Sequence, residues 1–274
     1  MYFLLNRNDR SGSILQLLMY IYAYCYKYHI KYDGLISDNG WWYNNPHFSN
    51  KIKKMFGISN KKINKNLLKE IKFSEIKTYS HTESNDVYMI FDVNILCPYF
   101  SKNINLYFDD EFKNYMNHKI ISNTCDNKNN NRKIISIHIR RGDVNQTIPR
   151  RYTNDIVYIN LINNIIENEN LQDYEIHIFS EKNFNGNINT FNTLKNVQFH
   201  LENDHGSDRS DLTNVFNDIL FMIKSDYLIC SKSSFSYIPA LLNKTGKIYH
   251  NNNFWNNPLK HFIIYDDNNG NINN

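Results

Sequence analysis

Apolar residues recur with two periods along this chain, and the change between them divides it. In the first half, residues 2–5 form a short apolar run. Gly12 then allows a turn, and helical spacing carries on to about residue 28. Helical spacing also covers roughly 50–56, 61–71 and 109–117, with a strand-like run at 87–91. The polar run Asp126-Asn-Lys-Asn-Asn-Asn-Arg132 interrupts the pattern and predicts a domain boundary. Beyond it the alternation is cleaner. Strands are predicted at 133–139, 175–179, 197–200, 227–230 and 247–250. Helices are predicted at about 154–168, 211–224 and 234–242, with an asparagine-rich helical stretch after residue 179. Alternating strands and helices predict an α/β fold whose parallel sheets are covered on both faces. The expected domains are 1–125 and 133–274, and residues 266–274 are expected to fray.

Candidate chemistry gathers where the strand at 133–139 should run out. The segment reads Ile134-Ile-Ser-Ile-His-Ile-Arg-Arg-Gly-Asp143. His138, Arg140, Arg141 and Asp143 fall within six positions, and Gly142 permits a sharp turn. Ligands of open α/β sheets bind outside the carboxyl ends of strands, and guanidinium groups there suit a phosphate. The alternatives are a surface ion pair between Arg141 and Asp143 and a core role for His138. Arg141-Gly142-Asp143 also spells an adhesion tripeptide, which would need an exposed loop tip rather than a strand end.

A second candidate follows the strand at 227–230. Ser233-Ser234-Phe235-Ser236 opens a helix, where free backbone N–H groups and hydroxyls suit an anion. The plainer alternative is an N-cap serine.

Composition adds limits. With 41% hydrophobic and 15% aromatic residues, the 274-residue chain is globular and large enough for two cores. A net charge of +4 allows an anionic ligand without demanding nucleic acid. The eight lysines between Lys51 and Lys72 read as a solvated face. Cys25, Cys97, Cys125 and Cys230 have neither metal-like spacing nor a disulfide framework, which fits a reducing compartment. The opening Met1–Asn6 run is too short for a signal peptide, and the apolar run 14–26 is too short to span a bilayer. A soluble, cytoplasmic protein is expected.

His138-Ile-Arg-Arg-Gly-Asp143 resembles the His-x-Arg-Arg-x-Asp signature of the α1,2-fucosyltransferases and, more distantly, α1,6- and protein O-fucosyltransferases. Asp226-Tyr-Leu-Ile-Cys-Ser-Lys-Ser-Ser-Phe-Ser236 resembles that family's strand and Asn-Ser-(Ser/Thr)-Phe-Ser segment. Ile176-His-Ile-Phe-Ser180 is similar to its Val-Phe-Ser-Asp strand, and Ser11-Gly-Ser-Ile-Leu-Gln16 stands where it has Gly-Asn-Gln-Met-Phe-Gln. The resemblance implies two Rossmann-like domains facing a cleft, the GT-B type, with the donor nucleotide in the C-terminal domain. It implies an inverting transfer of fucose from GDP-fucose to a glycan hydroxyl, α1,2 to galactose, with no metal and no cofactor beyond the donor substrate. No Asp-x-Asp motif is present.

By the same resemblance, Arg140 holds the diphosphate and stabilises the leaving group. Ser233, Ser234 and Phe235 belong to the diphosphate-binding turn, and His138 lies near the nucleoside. Asp218 takes the place of the acid that accepts hydrogen bonds from guanine, with a solvent-facing helix position as its alternative. Asp143 either positions Arg141 or acts as general base. The departures, Ser11-Gly12-Ser13, Tyr237-Ile238-Pro239 and Ser180-Glu181, bear on the acceptor and the donor sugar. Pro239 is expected to fit only within a first helical turn. Trp41, Trp42 and Tyr43 could stack on a sugar or fill a core. Rival readings are a same-fold transferase using another nucleotide sugar and a non-catalytic glycan-binding relative. The expected partners are therefore a nucleotide sugar and a glycan acceptor.

Overall fold

The computed structural model describes residues 1–5, 11–36, 50, 52–54, 60–61, 64–78, 87–121, 132–181, 188–201 and 213–273. The aromatic run at 41–43, Cys125 and the polar stretch 126–131 lie outside the described residues. The chain divides into two compact units, Met1–Cys125 and Asp126–Asn274.

The strands of the first unit are β1 (Tyr2–Leu5), β2 (Gly34–Ile36), β3 (Asn60–Lys61), β4 (Lys69–Ile71) and β5 (Val87–Phe91). They form one parallel sheet in the order β3-β2-β1-β5-β4. Helix α1 (Ser11–Lys27) packs on α2 (Val93–Lys102), α3 (Ile104–Tyr107) and α4 (Asp110–Ile121). Their contact is aromatic: Tyr20 stacks on Phe100 at 4.9 Å, and Tyr24 lies 5.9 Å from Tyr107. Several of these tyrosines fill the core with their hydroxyls hydrogen-bonded. Gln16 Nε2 donates to Tyr20 at 2.7 Å, and the Tyr99 and Tyr107 hydroxyls meet at 2.8 Å.

The expected helix over 61–71 is absent. A 3₁₀ turn at Lys65–Leu67 and strand β4 stand in its place. The spacing of Leu67, Leu68 and Ile71 fits a helix, yet Leu67 is 78% exposed and only Ile71 is buried. Parallel pairing with β5 overrode local periodicity. The reading also missed α2, whose start is marked by Asp92, with a carboxylate accepting from Asn94 N at 2.9 Å.

In the second unit, β6 (Lys133–His138), α5 (Asp155–Asn168), β7 (Tyr174–Phe179), β8 (Val197–His200) and α6 (Thr213–Ile223) are followed by β9 (Tyr227–Ile229), α7 (Ser234–Leu242), β10 (Lys247–Asn251), β11 (Ile263–Tyr265) and β12 (Ile272–Asn273). The sheet order is β12-β11-β10-β9-β6-β7-β8, parallel except for β12. Its two faces differ because side chains alternate along each strand. Ile135 and Ile137 of β6 join Ile176 and Ile178 of β7 under Val157, Leu161, Ile162 and Ile165 of α5. On the opposite face, His138 meets Phe235 of α7, and His177 meets Phe221 of α6.

The expected fraying beyond residue 266 is corrected by the structure. Asp266 O accepts from Gly270 N at 2.9 Å, β12 pairs with β11, and Asn160 and Asn164 of α5 donate to the carbonyls of Asn269 and Gly270. Asparagine-rich sequence looks solvated, but here its amides supply the turns.

His250 on β10 is 2% exposed among the rings of Tyr237, Phe254 and Phe262. Burial lowers its imidazole from 6.5 to about 4. Between those values the unfolded chain binds the proton and the folded chain does not. The associated stability is therefore present above about pH 6.5 and is lost as pH falls toward 4. We expect urea unfolding to show a loss of roughly 2–3 kcal/mol from His250 by about pH 4.5. His250→Phe should flatten that slope, and an unchanged slope in the variant would remove His250 from the account.

Candidate active site at the carboxyl edge of the second sheet

Strand β6 lies between β7 and β9 in the sheet, and the chain winds outward from β6 on both sides. The strand order therefore reverses between β6 and β9. In open α/β sheets the crevice beyond such a reversal is where ligands bind. The two segments singled out in the sequence, Ile139–Asp143 and Cys230–Ser236, leave the sheet at this point. They are joined by His138 Nδ1 and Ser231 Oγ at 2.9 Å. His138 is buried and packs 4.9 Å from the Phe235 ring. It thus has the core surroundings of the plain alternative while tying the two strand ends together.

The turn after β6 is sharp. Ile139 N still donates to Phe179 O at 2.9 Å, and Ser180 Oγ donates to Ile139 O at 2.7 Å. Gly142 then takes a φ of +76°, and a Cβ there would overlap the Glu181 carboxylate. The positive φ is the ground for glycine, since the end of the Glu181 side chain can move aside.

The two arginines diverge at this turn. Arg140 and Asp143 form a fork, Nε to Oδ1 at 3.3 Å and Nη2 to Oδ2 at 2.9 Å. Their side chains are 15% and 37% exposed. Arg141 is fully buried. Its guanidinium donates to Arg140 O and Thr153 O, both at 2.9 Å, pairs with Asp155 and lies over the Tyr152 ring at 4.4 Å. The expectation that Asp143 positions Arg141 is corrected: Asp143 holds Arg140, and Asp155 at the start of α5 holds Arg141. The expected pairing of Arg141 with a phosphate meets the same geometry. This arginine is turned into the fold because a full charge that deep needs a carboxylate and carbonyls around it. Burial likewise disagrees with an exposed adhesion tripeptide.

Across the reversal, Ser233 is the N-cap of α7, its Oγ accepting from Phe235 N at 3.3 Å. Ser234 and Phe235 in the first turn are buried. Ser236 Oγ turns back, donating to Ser233 O at 3.1 Å. Cap and anion turn are compatible, since the first turn has more N–H groups than one side chain can satisfy. Pro239 lies beyond the first turn, contrary to expectation, and the helix continues to Leu242. Pro239 O still accepts from Asn243 N at 2.8 Å, so the last turn stays closed. Asp218 of α6 is 5% exposed, which removes the solvent-facing alternative for it. Helix α6 packs on α7.

Sequence reasoning missed Lys232 and Asp267. Lys232 is buried, its Nζ donating to Pro149 O at 2.9 Å and to Asp267 Oδ2 at 2.6 Å. Asp267 also accepts from Thr153 Oγ1 at 2.6 Å and Asn251 Nδ2 at 2.7 Å. One carboxylate thereby ties together the segments following β6, β9 and β10. The lone cation between the Ser231 and Ser233 hydroxyls was the available signal, but Asp267 carried none. Trp255, 49% exposed on the loop after β10 with Arg151 5.8 Å from its ring centre, was also unremarked. Among the described residues, no three His, Cys, Asp or Glu side chains stand together as a metal cluster. No described helix is long and apolar enough to cross a membrane.

No protein-family model matches this chain, and no curated protein matches it. Solved structures give similarities in chain path. An Arabidopsis thaliana FUT1 mutant in complex with GDP shares 10% identity at a TM-score of 0.47, over 96% of this chain and 72% of that one. An E. coli ADP-heptose LPS heptosyltransferase II shares 9% at 0.48, over 96% and 89% of the two chains. A NodZ α-1,6-fucosyltransferase soaked with GDP-fucose shares 13% at 0.43, over 90% and 93%.

Proposed function

We propose that this chain is an inverting, metal-independent glycosyltransferase that moves fucose from GDP-fucose to a glycan hydroxyl, forming an α1,2 link to galactose. The observation that carries this reading is Arg140, gripped by Asp143 at the end of β6 where the strand order reverses toward the Ser233-capped helix. In the proposed reaction the acceptor oxygen attacks C1 of fucose. The bond from C1 to the diphosphate breaks, its electron pair stays on the leaving phosphate oxygen, and the proton of the acceptor hydroxyl passes to water. Arg140 meets the charge that develops there. A fixed cation so placed favours the transition state over the bound substrate. The amino end of α7 at Ser234 completes the cradle. Asp143 acts as a positioning residue, since both of its oxygens are engaged by Arg140. The donor occupies the second unit.

Transfer from GDP-fucose to a galactose-terminated acceptor should proceed in EDTA. Thermal-shift titration should register GDP and not UDP or dTDP. Abolition by chelation with recovery on adding manganese would overturn the metal-independent chemistry, and a shift with UDP alone would overturn the donor. Asp218→Ala should weaken GDP binding by about 1.5–3 kcal/mol, the worth of hydrogen bonds to a charged acceptor, while UDP stays as poor as before. Equal GDP affinity in parent and variant would take guanine recognition away from Asp218.

A further inference from the structure

The first unit holds a pocket of about 390 Å³ lined by Tyr22, Cys25, Tyr26, His29, Tyr115 and Lys119 together with Ile30 and Tyr32. It lies where α1 ends and the chain turns into β2. That is the amino edge of the first sheet, opposite the carboxyl edge at which ligands of such sheets ordinarily bind. Helix α1 closes with Ile30 N on Cys25 O at 2.8 Å and His29 in the left-handed region at φ 54°. This turn brings His29 into the lining.

The polar groups cluster on one wall. Lys119 Nζ sits 4.8 Å from the ring centres of both Tyr22 and Tyr115, and it donates to the Tyr22 hydroxyl. The Tyr22 and Tyr115 hydroxyls are 3.1 Å apart. An ammonium group only donates, so the Tyr22 oxygen accepts from it, and between the two tyrosines either hydroxyl can be the donor. Burial pushes the Tyr22 hydroxyl up, which keeps its proton in place. Among the described residues the lining carries the positive charge of Lys119 and no carboxylate of its own, while Glu111 accepts from the Tyr26 hydroxyl at 2.9 Å. Cation, neighbouring hydroxyls and a volume in the range of small-molecule sites together describe a receptor for an oxyanion.

We propose that this pocket binds a small polyhydroxylated oxyanion of sugar-phosphate or sugar-acid size, separately from the site in the second unit. The hydroxyl-rich wall suits the polyol, and the Lys119–Tyr22–Tyr115 cluster meets the anionic group.

Calorimetric titration of the full chain with glucose 6-phosphate, glucuronate and glucose tests this. Both anions should bind, the phosphate and the carboxylate arms showing which oxyanion is preferred, and glucose should bind far more weakly. Lys119→Met should weaken the anions by about tenfold or more, as expected for a lost charge-assisted hydrogen bond. Tyr115→Phe should weaken them a few-fold while preserving the ring. Arg140→Ala should leave their binding unchanged. The proposal fails if neither anion binds, if glucose binds as well as they do, or if folded Lys119→Met keeps full affinity. It fails equally if Arg140→Ala abolishes binding, which would place the ligand in the second unit. Should Lys119→Met not fold, unaltered affinity in Tyr115→Phe decides against it.

Discussion

Arg140→Lys should leave the protein folded and lower kcat/KM for the proposed fucosyl transfer by about 10²–10³, or roughly 3–4 kcal/mol of transition-state stabilisation. The fold should survive because the Arg140 side chain keeps 15% of its surface and pairs with the still more open Asp143. Activity should not survive, because lysine offers a point charge where a planar fork is needed both to hold Asp143 and to meet a phosphate oxygen. Arg140→Ala should behave alike. Circular dichroism and urea unfolding would show the fold intact, and initial rates with GDP-fucose would show the loss. Undiminished turnover in a folded Arg140→Lys variant would sink the assignment of the phosphate grip.

The neighbouring arginine should give the reverse result. Arg141→Met should lower stability by about 3–5 kcal/mol, because the change strands the buried Asp155 carboxylate. Thr153 O would lose its donor as well. The partnered variant Arg141→Met/Asp155→Leu should recover much of that loss, since apolar pairs of similar volume commonly replace buried ion pairs. Urea midpoints of the three proteins check this. A single variant as stable as the parent, or a double variant worse than both singles, would show that the pair is not what holds the loop to α5. Two adjacent arginines thus separate chemistry from architecture.

Much of the second unit could be read from its pattern. Period-two runs such as Ile135/Ile137 and Ile176/Ile178 mark the strand face that packs under α5, and the intervening helices have clear apolar stripes. The site's location could be read for the same reason: polar residues stood where two of those strands ended. Which arginine faces outward could not. That choice depends on Asp155 and Thr153, more than ten residues on and brought back only by the start of α5. Asp267 was hidden still more deeply, since a carboxylate among asparagines has no local signature. In the first unit the short outer strands lack any period long enough to compete with helical spacing. Leu67 and Ile71 therefore pointed to a helix that sheet pairing excludes.

The position of β6 in the middle of its sheet also sets a schedule for synthesis. Its β7 side can pair soon after translation, but Lys133 and Ile134 meet Asp226 only 93 and 92 residues later. At about 5–20 residues per second, the β9 side of an Ile-Ile-Ser-Ile strand stays unpaired for roughly 5–19 seconds. An open apolar edge of that kind invites pairing with other nascent chains. Yield of folded protein should therefore respond to translation rate between residues 140 and 226 and to chaperones that shield strand edges, even though the finished sheet gives no sign of the hazard.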